Sequence, residues 1–295
     1  SLMIWRGLPV PSRFGWDREV AARLLRFGLP LAAASIVVFA AGYADQVIVG
    51  SMLGAQALGF YVLAFNLASW PVSIFSQPLR AVAPATFSAL KHDPDRMSRN
   101  FTRILTVLSC VAIPVCLAIS GAADPVIEFV YGPAWLPAAG VLLWMAAFAA
   151  LRIWFELFYD YLVVQGKSGV VLLIQSCALV ASVPLMLLVV RPFGESGVAA
   201  MQFVVGLVVV APLYVISLKR VGIAVRSLAG SVGLPVLAGL VVWGITWVLS
   251  SSIQHAFLAA VAAAGAAVLV IVALGYWQRA NIRLIGSAVT GRGGA

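Results

Sequence analysis

Charged side chains are scarce in this chain. Only 10% of its 295 residues are Asp, Glu, Lys or Arg, against about 25% in soluble domains. The complement is an apolar excess that no soluble core can absorb: 63% of residues are hydrophobic, and mean hydropathy is +1.05. Lipid has to solvate much of that surface. Cysteine is nearly as scarce. Cys110, Cys116 and Cys177 all lie in apolar runs, without CxxC spacing and without nearby histidines. That excludes a disulfide framework and a zinc site and leaves small buried hydrophobes. His92 and His255 fall in loops with no partner pattern, so no metal site is expected. GxxxxGK[ST], GxSxG and HExxH are all absent. With none of these signatures, no catalytic residue is expected, and the chain reads as a non-enzyme. It also lacks the ordered n-region, h-region and cleavage site of a signal peptide. It opens on Ser1, which reads as the continuation of a longer protein.

What the chain does have is long apolar runs. A β-barrel would show alternating segments of about ten residues; here the runs approach the length of a membrane-crossing helix, about 20 residues. The expected fold is all-α, a polytopic membrane bundle of about eight transmembrane helices. Their expected positions are 28–50, 58–79, 104–122, 137–164, 170–190, 197–217, 230–249 and 257–277. Between them lie short connections such as Leu53-Gly54-Ala55 and Gly166-Lys167-Ser168-Gly169, built from turn-forming residues.

The net charge of +9 is distributed by loop. Arg6, Arg13, Arg18, Arg23 and Arg26 precede the first span. Lys91, Arg96, Arg99 and Arg103 follow the second, with Arg80 at the entrance. Lys167, then Lys219, Arg220 and Arg226, then Arg279, Arg283 and Arg292 fall on later alternate connections, with Arg191 the exception. Basic residues on alternate loops follow the positive-inside rule and place both termini in the cytoplasm. The charge therefore serves topology and anionic membrane lipids. No basic patch interleaved with aromatics points to nucleic acid, so no nucleic-acid partner is expected. The expected organisation is a cytoplasmic segment over 1–26 with an amphipathic elbow, six spans over 27–220, and two peripheral spans with a cytoplasmic tail over 221–295. Asp93-Pro94 reads as an N-cap with proline at N1, opening a helix that runs into the third span.

Three spans carry polar faces. In the fourth, Arg152, Glu156 and Asp160 fall at i, i+4 and i+8, one face of a helix. A mid-bilayer Arg costs about 2.5–3.5 kcal/mol, and an i,i+4 ion pair returns only about 0.2–0.5 kcal/mol. These charges therefore face protein or a water-filled cavity, and a cavity role is favoured over a buried ion pair that locks helices together. In the second span Asn66, Ser69, Ser73, Ser76, Gln77 and Arg80 recur at three- and four-residue steps, with Pro71 and Pro78 in the same helix. Cavity lining and interhelical hydrogen bonding explain that stripe equally well. In the first span Ser35, Gly42, Asp45 and Gln46 share roughly one face. A structural cap near the span end is slightly favoured for Asp45.

The order of residues over the first two spans, LRFGLPLAAASIVVFAAGYADQVIVGSMLGAQALGFYVLAFNL, resembles the seventh and eighth spans of Wzx-type polysaccharide flippases. Those are members of the multidrug/oligosaccharidyl-lipid/polysaccharide (MOP) exporter superfamily. The marks are Phe27-Gly28-Leu29-Pro30, Asp45, Gly50, Gly54, Gly59 and Tyr61. VAPATFSALKHDPDRM and YGPAWLPAA follow in the family's order, and the resemblance covers about 20–220. It implies two six-span lobes around a central cavity, and passage of undecaprenyl-pyrophosphate-linked oligosaccharide between leaflets of the bacterial inner (plasma) membrane. The chain then corresponds to the C-terminal lobe plus two further spans, half of a two-lobe transporter. Its expected partners are a lipid-linked oligosaccharide and an N-terminal six-span lobe.

On that resemblance Arg152 and Arg80 are the expected pyrophosphate ligands, with Asn66, Gln77 and Ser73 meeting the sugar. Asp45, Glu156 and Asp160 are expected to orient Arg152 or to take a coupling ion. No cofactor is expected; a proton or sodium gradient is the candidate energy source. The alternatives are another MOP exporter (of lipid II or drugs), a non-transporting membrane scaffold or partial chain, and, least favoured, a membrane polysaccharide polymerase or ligase.

Overall fold

The computed structural model describes residues 42–89, 93–253 and 255–277, without the side chains at 78–86, 88–89, 94 and 277. The chain divides into Ser1–Ala44 and Asp45–Ala295, and the second unit holds almost all the described residues. The expected amphipathic elbow, most of the first expected span and the basic tail lie outside the described residues.

Among the described residues every element of this unit is helical. Helix α1, of which residues 45–53 belong to this unit, ends at Gly54, where φ is +90°, a value glycine adopts without a Cβ penalty. Next come α2 (Ala55–Ala89), α3 (Pro94–Gly121), α4 (Ala123–Tyr131), a 3₁₀ turn (Pro133–Trp135) and α5 (Pro137–Val164). α6 (Ser168–Val205) passes through a π-helical turn (Gly206–Val210) into α7 (Ala211–Arg220), followed by α8 (Val225–Ser252) and α9 (Ala256–Trp277). Among the described residues six helical stretches are long and apolar enough to cross a membrane, and the all-α expectation is met.

Helix α3 starts as its sequence dictates. Asp93 is the N-cap, its side chain accepts from the Arg96 backbone N–H at 2.9 Å, and Pro94 fills the first turn, where no N–H is needed. Helix α2 differs from expectation in length. It continues through Pro71 and Pro78 for 35 residues, so Arg80 lies within a helix and not at the entrance of a loop. The connection expected over 123–136 is likewise mostly helix, because α4 buries Ala123, Pro125 and Ile127 beneath it.

The expected fifth and sixth spans fall in one stretch, Ser168–Arg220, of 53 residues. An unbroken helix of that length would extend about 80 Å. Yet Val171 and Ile174 share a core with Tyr214 and Leu218, while Met186 and Val190 share another with Val198 and Ala199. That pairing requires the chain to reverse midway. The reversal is at Gly194, with φ 62° and ψ −156°, a backbone region essentially reserved for glycine. The two halves therefore run antiparallel, each with the length of one crossing. The π turn that follows has a local cause in Pro212. Proline offers no N–H and its ring crowds the carbonyl four residues back, and a widened turn accommodates both.

α5 is the central helix. It packs against α2, α3 and α6 and buries residues from Ala138 to Leu162. Its first half joins a core with Tyr61, Ala64 and Ile127. Its second half joins another with Phe87, Phe101 and Tyr214. α8 lies along α3, and α9 covers α8, α3 and α4. The α3–α8 crossing is close at two glycines. A Cβ on Gly239 would sit 2.7 Å from Ile113 Cγ2, and one on Gly121 would meet the Trp243 carbonyl at 2.7 Å.

Candidate functional site

The polar stripes of the second and fourth expected spans lie on α2 and α5, which pack side by side. Two arrangements matter.

The first is centred on Arg152, half-buried on α5. Its guanidinium carbon lies 5.6 Å from the ring centroid of Phe65 on α2, within cation–π range. Among the described residues Arg152 forms no ion pair with Glu156, Asp160 or Asp45. Glu156 is half-buried one turn along α5, and Asp160 is buried one turn further. Next to Phe65, the face of α2 that carries Asn66, Ser73 and Gln77 is exposed, together with Trp70 and Ile74. Ser69 is half-buried, and its hydroxyl donates to the Phe65 carbonyl of the same helix at 2.7 Å. Ser76 is buried. The stripe seen in the sequence thus divides: Asn66, Ser73 and Gln77 face outward from the bundle, Ser69 and Ser76 do not. The Arg80 side chain lies outside the described residues.

The second arrangement is centred on Asp45, only 2% exposed. Its Oδ2 accepts two hydrogen bonds, from the Tyr61 phenol at 2.8 Å and from Gln202 Nε2 at 2.7 Å. Its Oδ1 is buried without a hydrogen-bond partner among the described residues. Asp45 therefore ties α1, α2 and the second half of the α6 hairpin together, and does not cap an exposed helix end. Tyr61 and Phe65 are one turn apart, so the two arrangements are offset by about 6 Å along α2.

The supporting contacts fix α5. Trp154 Nε1 donates to Ser109 Oγ of α3 at 2.9 Å, and Ser120 Oγ of α3 donates to the Leu143 carbonyl at 2.7 Å. Beyond Arg152, Phe101 and Tyr161 pack with ring centroids 4.5 Å apart, and Phe87 reaches Tyr161 at 5.4 Å. No three His, Cys, Asp or Glu side chains among the described residues are grouped to hold a metal ion. Sequence reasoning passed over Phe65, because an apolar residue in an apolar run carries no signal. The Asp45–Gln202 contact had one: a lone Asp and a lone amide in separate apolar spans each need a partner.

Comparison with known proteins agrees with this architecture. Residues 1–140 match the family described as polysaccharide biosynthesis protein. The chain is 26% identical over 182 residues to teichuronic acid biosynthesis protein TuaB of Bacillus subtilis (strain 168), covering 59% of this chain and 37% of that one. It is 27% identical over 128 residues to lipopolysaccharide biosynthesis protein WzxC of Escherichia coli (strain K12), covering 43% of this chain and 26% of that one. Among solved structures, lipid II flippase MurJ in an inward closed conformation superposes with a TM-score of 0.76 at 13% identity. That match covers 92% of this chain and 57% of MurJ. The chain thus spans well under two thirds of the length of each of these relatives. The expected resemblance to Wzx-type polysaccharide biosynthesis proteins is borne out, the fold is MurJ-like, and the chain is a multi-pass membrane protein.

Proposed function

We propose that this relative of the polysaccharide flippases forms one lobe of a transporter. That transporter moves undecaprenyl-pyrophosphate-linked oligosaccharide across the bacterial inner membrane for cell-surface or exopolysaccharide assembly. The observation that carries the reading is Arg152, a guanidinium without an acidic partner among the described residues, set in an apolar bundle beside the exposed polar face of α2. An un-neutralised cation at such depth is costly unless an anion or water visits it. A planar donor fork suits the oxygens of a pyrophosphate. In this reading Arg152, with Arg80, receives the pyrophosphate. Asn66, Ser73 and Gln77 offer hydrogen bonds to the sugar, and the polyprenyl tail stays in lipid.

The second lobe is an N-terminal six-span unit, in keeping with relatives that are longer than this chain. Anionic lipids meet the basic loops. The chain performs no covalent chemistry and needs no cofactor. Its energy comes from a proton or sodium gradient, with Asp45 as the main coupling residue, since one of its carboxylate oxygens is buried without a partner among the described residues. Glu156 and Asp160 contribute charge along α5. The MurJ-like fold supports a second reading, in which the exported lipid is lipid II; its headgroup linkage makes the same demand on Arg152. A cation-drug exporter fits less well, because Arg152 would repel the cargo.

Replacing Arg152 by Ala in the full-length protein, at matched membrane abundance, tests the assignment. Glycan export is expected to fall at least tenfold, and undiminished export would sink it.

A further inference from the structure

We infer that Phe65 is a positioning residue for anion binding. Its ring seats the Arg152 guanidinium where an acidic side chain would otherwise hold it and cancel its charge. The inference rests on the proposal that Arg152 receives the pyrophosphate.

The neighbour expected to hold Arg152 is Glu156, one turn along the same helix. The order of the two works against that pairing. An acidic residue N-terminal to its basic partner is the favourable arrangement, and here the basic residue comes first. The guanidinium crosses instead to α2 and lies 5.6 Å from the Phe65 centroid.

What holds the cation decides what it can bind next. A carboxylate occupies guanidinium N–H donors bidentately and neutralises their charge. An aromatic face attracts the cation through its quadrupole and takes none of the in-plane donors. Seated on Phe65, Arg152 keeps its charge and its fork for an incoming phosphate. An anion then need not displace a bound carboxylate.

Phe65 is held by packing: its ring is partly buried against the core that contains Tyr61, Leu142 and Met145. The next residue, Asn66, is exposed, so the seat lies at the border between the packed α2–α5 seam and the open polar face.

The test uses the full-length protein in lipid nanodiscs and farnesyl pyrophosphate as the probe. Phe65→Leu is expected to weaken binding by roughly three- to tenfold, and Phe65→Trp to restore it. A series of phenylalanines at position 65 bearing progressively more ring fluorines keeps the shape while draining the ring's negative face. Affinity is expected to fall steadily along it, even if Phe65→Leu fails to fold. In an Arg152→Ala background, Phe65→Leu is expected to have no further effect. A flat fluorine series, or an equal loss from Phe65→Leu in both backgrounds, overturns the role of Phe65 and leaves the reading of Arg152 standing. If Arg152→Ala alone leaves affinity unchanged, the reading of Arg152 falls and this inference falls with it.

Discussion

Asp45 and Tyr61 are joined by a buried hydrogen bond of 2.8 Å, the phenol donating to Oδ2. The same oxygen accepts from Gln202 at 2.7 Å. One carboxylate atom thereby links two consecutive helices to a third that lies 157 residues away in sequence.

Removing the phenol should therefore weaken the bundle beyond the loss of one contact, because the Asp45 carboxylate stays buried. Tyr61→Phe is expected to cost about 1–3 kcal/mol, read as a shift in unfolding of the detergent-solubilised protein. Gln202→Leu is expected to cost a similar amount. The double variant should cost more than the sum, since in each single variant the remaining donor still serves the buried oxygen.

The reversal at Gly194 gives a second prediction. Its φ of 62° and ψ of −156° suit essentially only glycine, and a substituted residue there should cost about 1–3 kcal/mol. Gly194→Val is expected to lower thermal stability. Gly169→Ala, near the helix start with nothing within 4 Å of its added Cβ, is expected to be close to neutral. Equal effects of the two would contradict the hairpin geometry.

At the α3–α8 crossing, Gly239→Leu would force a side chain into Ile113 and Leu117. Overpacking of this kind costs about 1–3 kcal/mol. The expected readout is earlier proteolytic release of a fragment containing α8 and α9, with the α2–α5 seam still protected.

The Trp154 indole and Ser109 form a matched pair. Trp154→Phe and Ser109→Ala are each expected to destabilise by about 0.5–1.5 kcal/mol. A double-mutant cycle should show positive coupling between them, and strict additivity would show that the bond contributes nothing.

Helix positions were largely legible from apolar run length, because a membrane helix must satisfy its own backbone. The Asp93-Pro94 start of α3 was legible because capping is local chemistry. The helical character of 80–89 was not: charge and proline mark a boundary in sequence, yet Phe87 packs against Phe101 and Tyr161 and carries the helix on. For the polar residues, spacing showed which share a face, but not which way the face turns. Asn66, Ser73 and Gln77 point outward while Ser76 is buried. Arg152 stood out as an anomaly from its charge alone. Phe65 beside it could not, since tertiary placement gives it its significance.

The length of α2 has a mechanical consequence. Its 35 residues make a rod of roughly 52 Å, longer than the bilayer's hydrocarbon core of about 30 Å. Near one end Phe60 meets Trp135 at 5.7 Å, and near the other Phe87 meets Tyr161 at 5.4 Å. A tilt of about 10° would displace one end against the other by roughly 9 Å, more than either ring contact can span. A rigid-body tilt of α2 of that size would therefore require at least one of these two ring contacts to part.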